Sequence, residues 1–302
     1  MVNLAAKVAG LKLRNPTMLA SGILDETGGS LLRVFNGGAG AVVTKSISLQ
    51  PRAGYSNPTV VQLENGLINA MGLPNPGIEE YCGEVRKAVK GGAVVIGSVF
   101  GKDEEEYAEV ARKFETYGVK AVELNLSCPH AKGLGLEIAQ SAEAIERFTR
   151  AVKKTVKVPV MPKLSPNVAD IASLGKATER GGADAIVAVN TVKAIAISPE
   201  MRTPILSSKH GGLSGPPIKP IGLRCVYDLY ETVDIPVIGV GGVTTGRDAI
   251  EYFMAGASAV QMGTAVWMRG LDVFRLVCDE IQKFMNKEGY ESVSEIVGLA
   301  HE

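Results

Sequence analysis

Apolar positions along this chain fall into short blocks, and one kind of block recurs. Gly38-Ala39-Gly40-Ala41-Val42, Gly118-Val119-Lys120-Ala121-Val122, Gly182-Ala183-Asp184-Ala185-Ile186 and Gly256-Ala257-Ser258-Ala259-Val260 share one form. Each runs from a glycine through two variable positions to Ala and a β-branched residue. Such a pattern predicts a helix stopped by glycine and followed at once by a buried strand. The segments ahead of the glycines support the helices. Asp103 and Glu106 have capping-box spacing, and Tyr107, Val110, Ala111 and Phe114 form one apolar face. Ile145, Phe148 and Val152 repeat that face, as do Ile250 and Phe253.

Four other strand-length apolar runs lie between the copies, at 17–21, 93–98, 159–163 and 236–240. Interleaving the two sets gives eight strands, mostly separated by helical patterns. Near-continuous apolar strands suit a parallel sheet buried on both faces. The expected fold is therefore α/β, a TIM (β/α)8 barrel, with an open doubly wound sheet as its rival. Long inserted loops are expected after strands two, four and six. The segments 46–76 and 191–220 are too long for plain turns and are rich in Gly, Pro, Ser and Asn, as binding loops often are. No low-complexity linker divides the chain, so residues 1–302 read as a single barrel domain.

Composition narrows the class. The 302 residues are 46% hydrophobic, and 32 basic residues balance 32 acidic ones, which argues against general nucleic-acid or anionic-membrane binding. No apolar run approaches the ~20 residues of a membrane span. The first residues carry no cationic segment followed by an apolar core, so the expectation is cytoplasmic. The four cysteines form no Cys-x-x-Cys, so metal or iron–sulfur ligation by this chain is not expected. Cys82, Cys225 and Cys278 fall in helix-like stretches and read as packing.

Chemistry concentrates where the strands end. Those positions hold Ser21, Lys45-Ser46, Ser98, Asn125, Lys163, Asn190-Thr191, Gly241-Gly242 and Gly263-Thr264. In a parallel barrel they share the C-terminal rim, the place of the active site. Two lysines converging there suit an anionic ligand or an electron-rich cofactor. The glycines after strands seven and eight let backbone N–H groups approach a phosphate, a feature of phosphosugar and flavin mononucleotide barrels alike. Asn125-Leu126-Ser127-Cys128-Pro129-His130 places a thiol just beyond a strand end, a candidate base or nucleophile. Glu123 shares a strand face with Asn125, which would point it into the barrel toward a lysine.

Several of these segments together resemble the class 1 dihydroorotate dehydrogenases over nearly the whole chain. They are Ala20-Ser21-Gly22, Thr44-Lys45-Ser46, Asn69-Ala70-Met71-Gly72-Leu73-Pro74-Asn75, Asn125-Leu126-Ser127-Cys128-Pro129, Pro162-Lys163-Leu164-Ser165-Pro166, Asn190-Thr191, Gly211-Gly212-Leu213-Ser214-Gly215-Pro216 and Gly241-Gly242-Val243. The resemblance implies FMN-dependent oxidation of (S)-dihydroorotate to orotate in de novo pyrimidine biosynthesis. Cys128 would remove the C5 proton while hydride passes from C6 to flavin N5. Lys163 would stabilise negative charge on the ring, and Lys45 would face both flavin and substrate. Lys45, Asn69, Ala70, Met71, Gly72, Leu73, Asn125, Asn190 and Thr191 would bind substrate. Ser21, Lys45, Ser46, Ser98, Asn125, Lys163, Val189, Gly215, Gly241, Gly242, Gly263 and Thr264 would bind FMN.

The Ala131-Lys132-Gly133-Leu134-Gly135 continuation resembles the NAD-linked subclass. That implies a separate electron-transfer subunit carrying FAD and a [2Fe-2S] cluster, with a homodimer of this chain inside a heterotetramer. His130 stands where many relatives have Asn and receives no role. The alternatives are a fumarate-linked class 1A enzyme, a related flavin barrel reducing uracil-type pyrimidines, a phosphosugar barrel without flavin, and a non-catalytic flavin-binding subunit.

Overall fold

A computed structural model describes residues 2–126 and 139–302. In chain order the strands are β1 (Ala6–Val8), β2 (Leu11–Leu13), β3 (Thr17–Leu19), β4 (Ala41–Val43), β5 (Val60–Gln62), β6 (Leu67–Asn69), β7 (Val95–Val99) and β8 (Ala121–Asn125). They continue as β9 (Val160–Leu164), β10 (Ile186–Ala188), β11 (Val192–Ile195), β12 (Ile197–Ser198), β13 (Thr203–Pro204), β14 (His210–Ser214), β15 (Val237–Val240) and β16 (Ala257–Met262). The helices are α1 (Gly28–Asn36), α2 (Ile78–Lys90), α3 (Glu104–Tyr117), α4 (Ala142–Thr155), α5 (Ile171–Arg180), α6 (Lys219–Tyr230), α7 (Gly246–Met254), α8 (Thr264–Arg269) and α9 (Val273–Glu288).

Strands β3, β4, β7, β8, β9, β10, β15 and β16 close into one barrel with parallel pairing throughout. These are the eight strands expected from the apolar blocks. All four marker glycines hold positive φ: 122° at Gly38, 95° at Gly118, 87° at Gly182 and 108° at Gly256. Gly118 is itself the left-handed cap of α3, whereas the other three follow the cap by one residue. The predicted helical faces are buried, with Tyr107, Val110, Ala111 and Phe114 packed inward and Ile145, Phe148 and Val152 beside them. The capping box at Asp103 is only half made. Asp103 accepts from the Glu106 amide at 2.9 Å, but the Glu106 carboxylate turns away to accept from the amides of Lys102 and Leu49, both at 3.1 Å.

Period-two alternation sorts the barrel side chains into two cores. Val122 and Leu124 of β8 face the helices, in the large layer between barrel and helical ring. Met18, Ala41, Val43, Ile96, Ala121, Met161, Val187, Ile238 and Ala259 fill the barrel itself. One layer further toward the C-terminal ends, the same inward face turns polar, with Glu123, Lys163 and Gln261. The β1–β2 hairpin, which sequence patterning missed, adds Val8, Leu11 and Leu13 to the interior core.

The long segments after the second and sixth barrel strands differ from expectation. They are not irregular loops, because β6 from the first pairs with β14 from the second, with β5 and β11 outside them, in one antiparallel sheet. β5–β6 and β11–β14 are local hairpin pairings, whereas the β6–β14 pairing that joins the two segments brings Asn69 to Gly212. The insert expected after the fourth barrel strand lies largely at 127–138, outside the described residues.

Candidate active site

A cavity of about 370 Å³ opens at the C-terminal rim of the barrel. Its floor is the polar layer of the barrel interior, and its wall includes Val60, Leu67, Asn69 and Ser214 of the inserted sheet and Met71 and Leu73 just beyond β6. The glycine pair at the start of β14 allows that sheet to close on the rim. A Cβ on Gly212 would sit 2.0 Å from Thr191 Oγ1 and 2.6 Å from Thr191 Cβ. Thr191 itself lines the cavity.

The expected rim residues largely meet here. Ser21, Lys45, Ser46, Asn69, Met71, Leu73, Asn125, Lys163, Val189, Asn190, Thr191, Gly215, Gly241, Gly242, Gly263 and Thr264 all line the cavity. Three do not. Ser98 is fully buried and holds Ser46, their hydroxyl oxygens 2.9 Å apart. Ala70 and Gly72 flank the lining residues without reaching the space, and the Ala70 amide donates to Thr59 O at 2.8 Å. Cys128 and His130 lie outside the described residues. Asn125, three positions before Cys128, is at the cavity, and its carbonyl accepts from the Tyr107 hydroxyl at 2.6 Å.

Hydroxyls and amides form a continuous chain across five barrel strands. Ser46 Oγ lies 3.4 Å from Ser21 Oγ and accepts from Asn125 Nδ2 at 3.0 Å. Asn190 Nδ2 donates to Asn125 Oδ1 at 3.4 Å, and Asn190 Oδ1 accepts from the Thr191 amide at 2.8 Å. These are neutral groups able to donate and accept, as a ring with alternating donors and acceptors requires.

The two lysines have different surroundings. Lys45 is 7% exposed, and its ammonium makes no hydrogen bond or ion pair among the described residues. Asp25 lies behind it, its carboxyl accepting from the Gly22 amide at 2.5 Å. Burial pushes the Asp25 carboxyl above the usual carboxylate range, opposed by the positive charge of Lys45. Lys163 donates to Gln261 Oε1 at 3.1 Å and lies 3.4 Å from Glu123 Oε1. Sequence reasoning missed Gln261, Asp25 and Ser214 as site residues. Gln261 did leave a signal, a polar residue between Val260 and Met262 near the end of β16.

At the far end the cavity is backbone-built. Gly241 and Gly242 hold φ of 127° and 72°. The amides of Gly242 and Val243 donate to no group among the described residues. Thr264 and Ala265 open α8, where first-turn N–H groups have no intrahelical acceptor. Asp248 ties down the next stretch, its Oδ2 accepting from the Thr244 and Thr245 amides at 3.0 and 2.8 Å. Arg269 donates to Thr244 O at 2.6 Å and pairs with Glu280 at 2.8 Å.

The thiols of Cys225 and Cys278 are both pushed up to about 11 by burial, which leaves them protonated packing groups, as expected. Among the described residues, no group of three or more His, Cys, Asp or Glu could hold a metal ion. Nor is any described helix long and apolar enough to cross a membrane.

The dihydroorotate dehydrogenase family model matches residues 3–285. The chain belongs to the dihydroorotate dehydrogenase family. It is 52% identical over 303 residues to the dihydroorotate dehydrogenase B (NAD(+)) catalytic subunit of Methanocaldococcus jannaschii, covering 99% of this chain and 98% of that one. The protein of the same name from Pyrococcus abyssi is 54% identical, over 98% of this chain and 99% of the relative. Among solved structures, dihydroorotate dehydrogenase from Eimeria tenella in complex with ferulenol superposes with a TM-score of 0.86 at 25% identity. That match covers 99% of this chain and 89% of the other.

Proposed function

We propose that this chain oxidises (S)-dihydroorotate to orotate in pyrimidine biosynthesis, using FMN held in a single barrel domain, residues 1–302. The observation that carries the reading is Lys45, a buried ammonium that makes no hydrogen bond or salt bridge among the described residues, beside a chain of neutral amides. A carboxylated pyrimidine satisfies both sets of groups, whereas uracil leaves the cation unpaired.

The residues present fit FMN. Gly241, Gly242, Gly215, Gly263 and Thr264 would hold its phosphate through backbone and hydroxyl donors, and all five line the cavity, the first two at positive φ. Ser21, Ser46, Asn125 and Val189 would hold the ring, with Ser98 acting on Ser46 from behind. When bound, FMN supplies the two-electron acceptor that no side chain can provide.

The chain's own residues do the rest. Lys45 pairs with the substrate carboxylate, and Asn69, Asn125, Asn190 and Thr191 orient the pyrimidine, supported by the Ala70–Leu73 segment. Lys163 provides positive charge against the negative charge gathered by the cofactor. Cys128 removes the C5 proton. Replacing it with alanine is expected to lower turnover about 10²- to 10⁴-fold, the usual contribution of a general base. FMN content should stay unchanged. Full activity in Cys128→Ala would remove Cys128 from the mechanism.

The relatives' designation as NAD(+) catalytic subunits supports electron transfer to NAD through a second subunit bearing FAD and a [2Fe-2S] cluster. We place the enzyme in the cytoplasm, as a homodimer within a heterotetramer. Ile195 at the end of β11 and Ile197 and Met201 of the β12–β13 hairpin, 52%, 59% and 73% exposed, are apolar surface that such assembly would cover. The deciding experiment is anaerobic addition of dihydroorotate to the yellow protein. Bleaching of the flavin is expected, and no bleaching would overturn the assignment. NAD, fumarate and quinone, tried with and without a partner subunit, separate the possible electron acceptors.

A further inference from the structure

The cavity floor holds a carboxylate that the reaction above leaves without a task. Glu123 is fully buried. Its Oε2 accepts a 2.6 Å hydrogen bond from Gln261 Nε2, while Oε1 accepts none among the described residues and stands 3.4 Å from Lys163 Nζ. Gln261 Oε1 accepts from Lys163 Nζ at 3.1 Å, which closes a ring of three side chains from β8, β9 and β16. Gln261 is 1% exposed and Lys163 6%. All three border the cavity.

Stability does not explain this ring. A buried ion pair is often no better than well-packed apolar groups of similar volume, because desolvation consumes the Coulombic gain. This one is incompletely bonded as well, since one carboxylate oxygen accepts nothing. The arrangement does have two effects on Lys163. The carboxylate fixes the Gln261 amide in one orientation, and that amide holds the lysine tip by its oxygen. The carboxylate also sets a negative charge against the ammonium in a place that water barely reaches, where charges act strongly.

We propose that Glu123, with Gln261 as its strut, is a positioning residue that fixes the Lys163 ammonium at the floor and offsets part of its charge toward the cofactor. The inference rests on the reading of Lys163 as the cation that faces FMN. Its consequence is directional. A negative charge beneath the ring opposes reduction, so neutralising it makes the bound flavin easier to reduce.

The test uses full-length protein loaded with FMN, comparing wild type, Glu123→Gln, Glu123→Asp and Gln261→Met. The FMN dissociation constant is read by quenching of flavin fluorescence, and the flavin midpoint potential by anaerobic titration against a reference dye. Glu123→Gln, nearly isosteric and neutral, is expected to bind FMN within a few-fold of wild type. Its equilibrium constant for two-electron reduction should rise at least tenfold, about 30 mV. Glu123→Asp restores the charge and should return most of that shift. Gln261→Met keeps both charges but cuts the strut, and should weaken FMN binding several-fold with a smaller change in potential.

A flavin-loaded Glu123→Gln whose reduction constant changes less than twofold overturns the inference and leaves the enzymatic assignment standing. Wild-type protein that binds no FMN overturns both. Should Glu123→Gln fail to accumulate as folded protein, the other two variants decide. Wild-type potential and wild-type FMN affinity in both would overturn the proposal.

Discussion

The two ends of the cavity are built from different material. The end at Gly241–Thr244 and Gly263–Ala265 offers backbone amides, and charged side chains brace it from behind: Asp248, Lys219, Arg269 and Glu280. The end at Lys45, Asn69, Asn125 and Asn190 offers side chains directly, joined by contacts as long as 3.4 Å. A phosphate can be gripped by main chain whose only sequence demand is glycine. A pyrimidine with a fixed order of donors and acceptors needs named side chains. The first end should therefore fail through backbone and packing changes, and the second through loss of single functional groups.

The largest expected effect is at Gly242. Its φ of 72° is strained for any side chain, and a Cβ would stand 2.8 Å from Lys219 Cβ and 2.9 Å from Gly215 O. Gly242→Val should raise the FMN dissociation constant about 100-fold, through left-handed strain of about 1–2 kcal/mol together with the displaced loop. Fluorescence titration of apoprotein checks this, and wild-type affinity would mean the backbone does not shape that end. At the other end, Lys45→Met should weaken orotate binding about 10- to 100-fold, since a hydrogen bond to a charged group contributes about 1.5–3 kcal/mol. Its melting temperature should change little, because the ammonium makes no hydrogen bond or salt bridge among the described residues while its charge does act on the buried Asp25 carboxyl. An equal loss of FMN and orotate affinity would erase the distinction between the ends.

The same contrast decides what could be read from sequence. The barrel was legible because each buried strand had to be apolar, and because each marker glycine needs the backbone freedom seen at positive φ. Lys45, Lys163 and Asn125 were legible because a polar group directly after such a strand has few reasons to be there. The inserted sheet was not legible, since β6 and β14 are five residues or fewer and their pairing joins Asn69 to Gly212. Local patterning carries no information about a partner that distant. The bracing carboxylates were missed for a related reason. Asp248 looks like any acidic residue in a helical first turn, and only the fold brings Lys219 to its other side.

That carboxylate gives the smallest and most specific test. Burial alone would raise the Asp248 pKa, but the Lys219 ammonium at 2.7 Å and hydrogen bonds from Thr244 and Thr245 outweigh it and hold the group at about 2. The ordinary value is 3.8, so the folded state binds its proton less readily than the unfolded chain. The stabilisation is therefore complete above about pH 4 and disappears as pH falls toward 2. The shift corresponds to about 2 kcal/mol, reduced to about 1–2 kcal/mol by solvent screening of a site partly open to water. Asp248→Asn should lose that amount in urea unfolding at pH 7, and the gap to wild type should narrow at pH 3 and nearly close at pH 2. FMN affinity should fall only a few-fold, since the amides remain and merely loosen. A constant gap across that pH range would show that shape rather than charge braces the loop, and the backbone-built end would then owe nothing to the ion pair behind it.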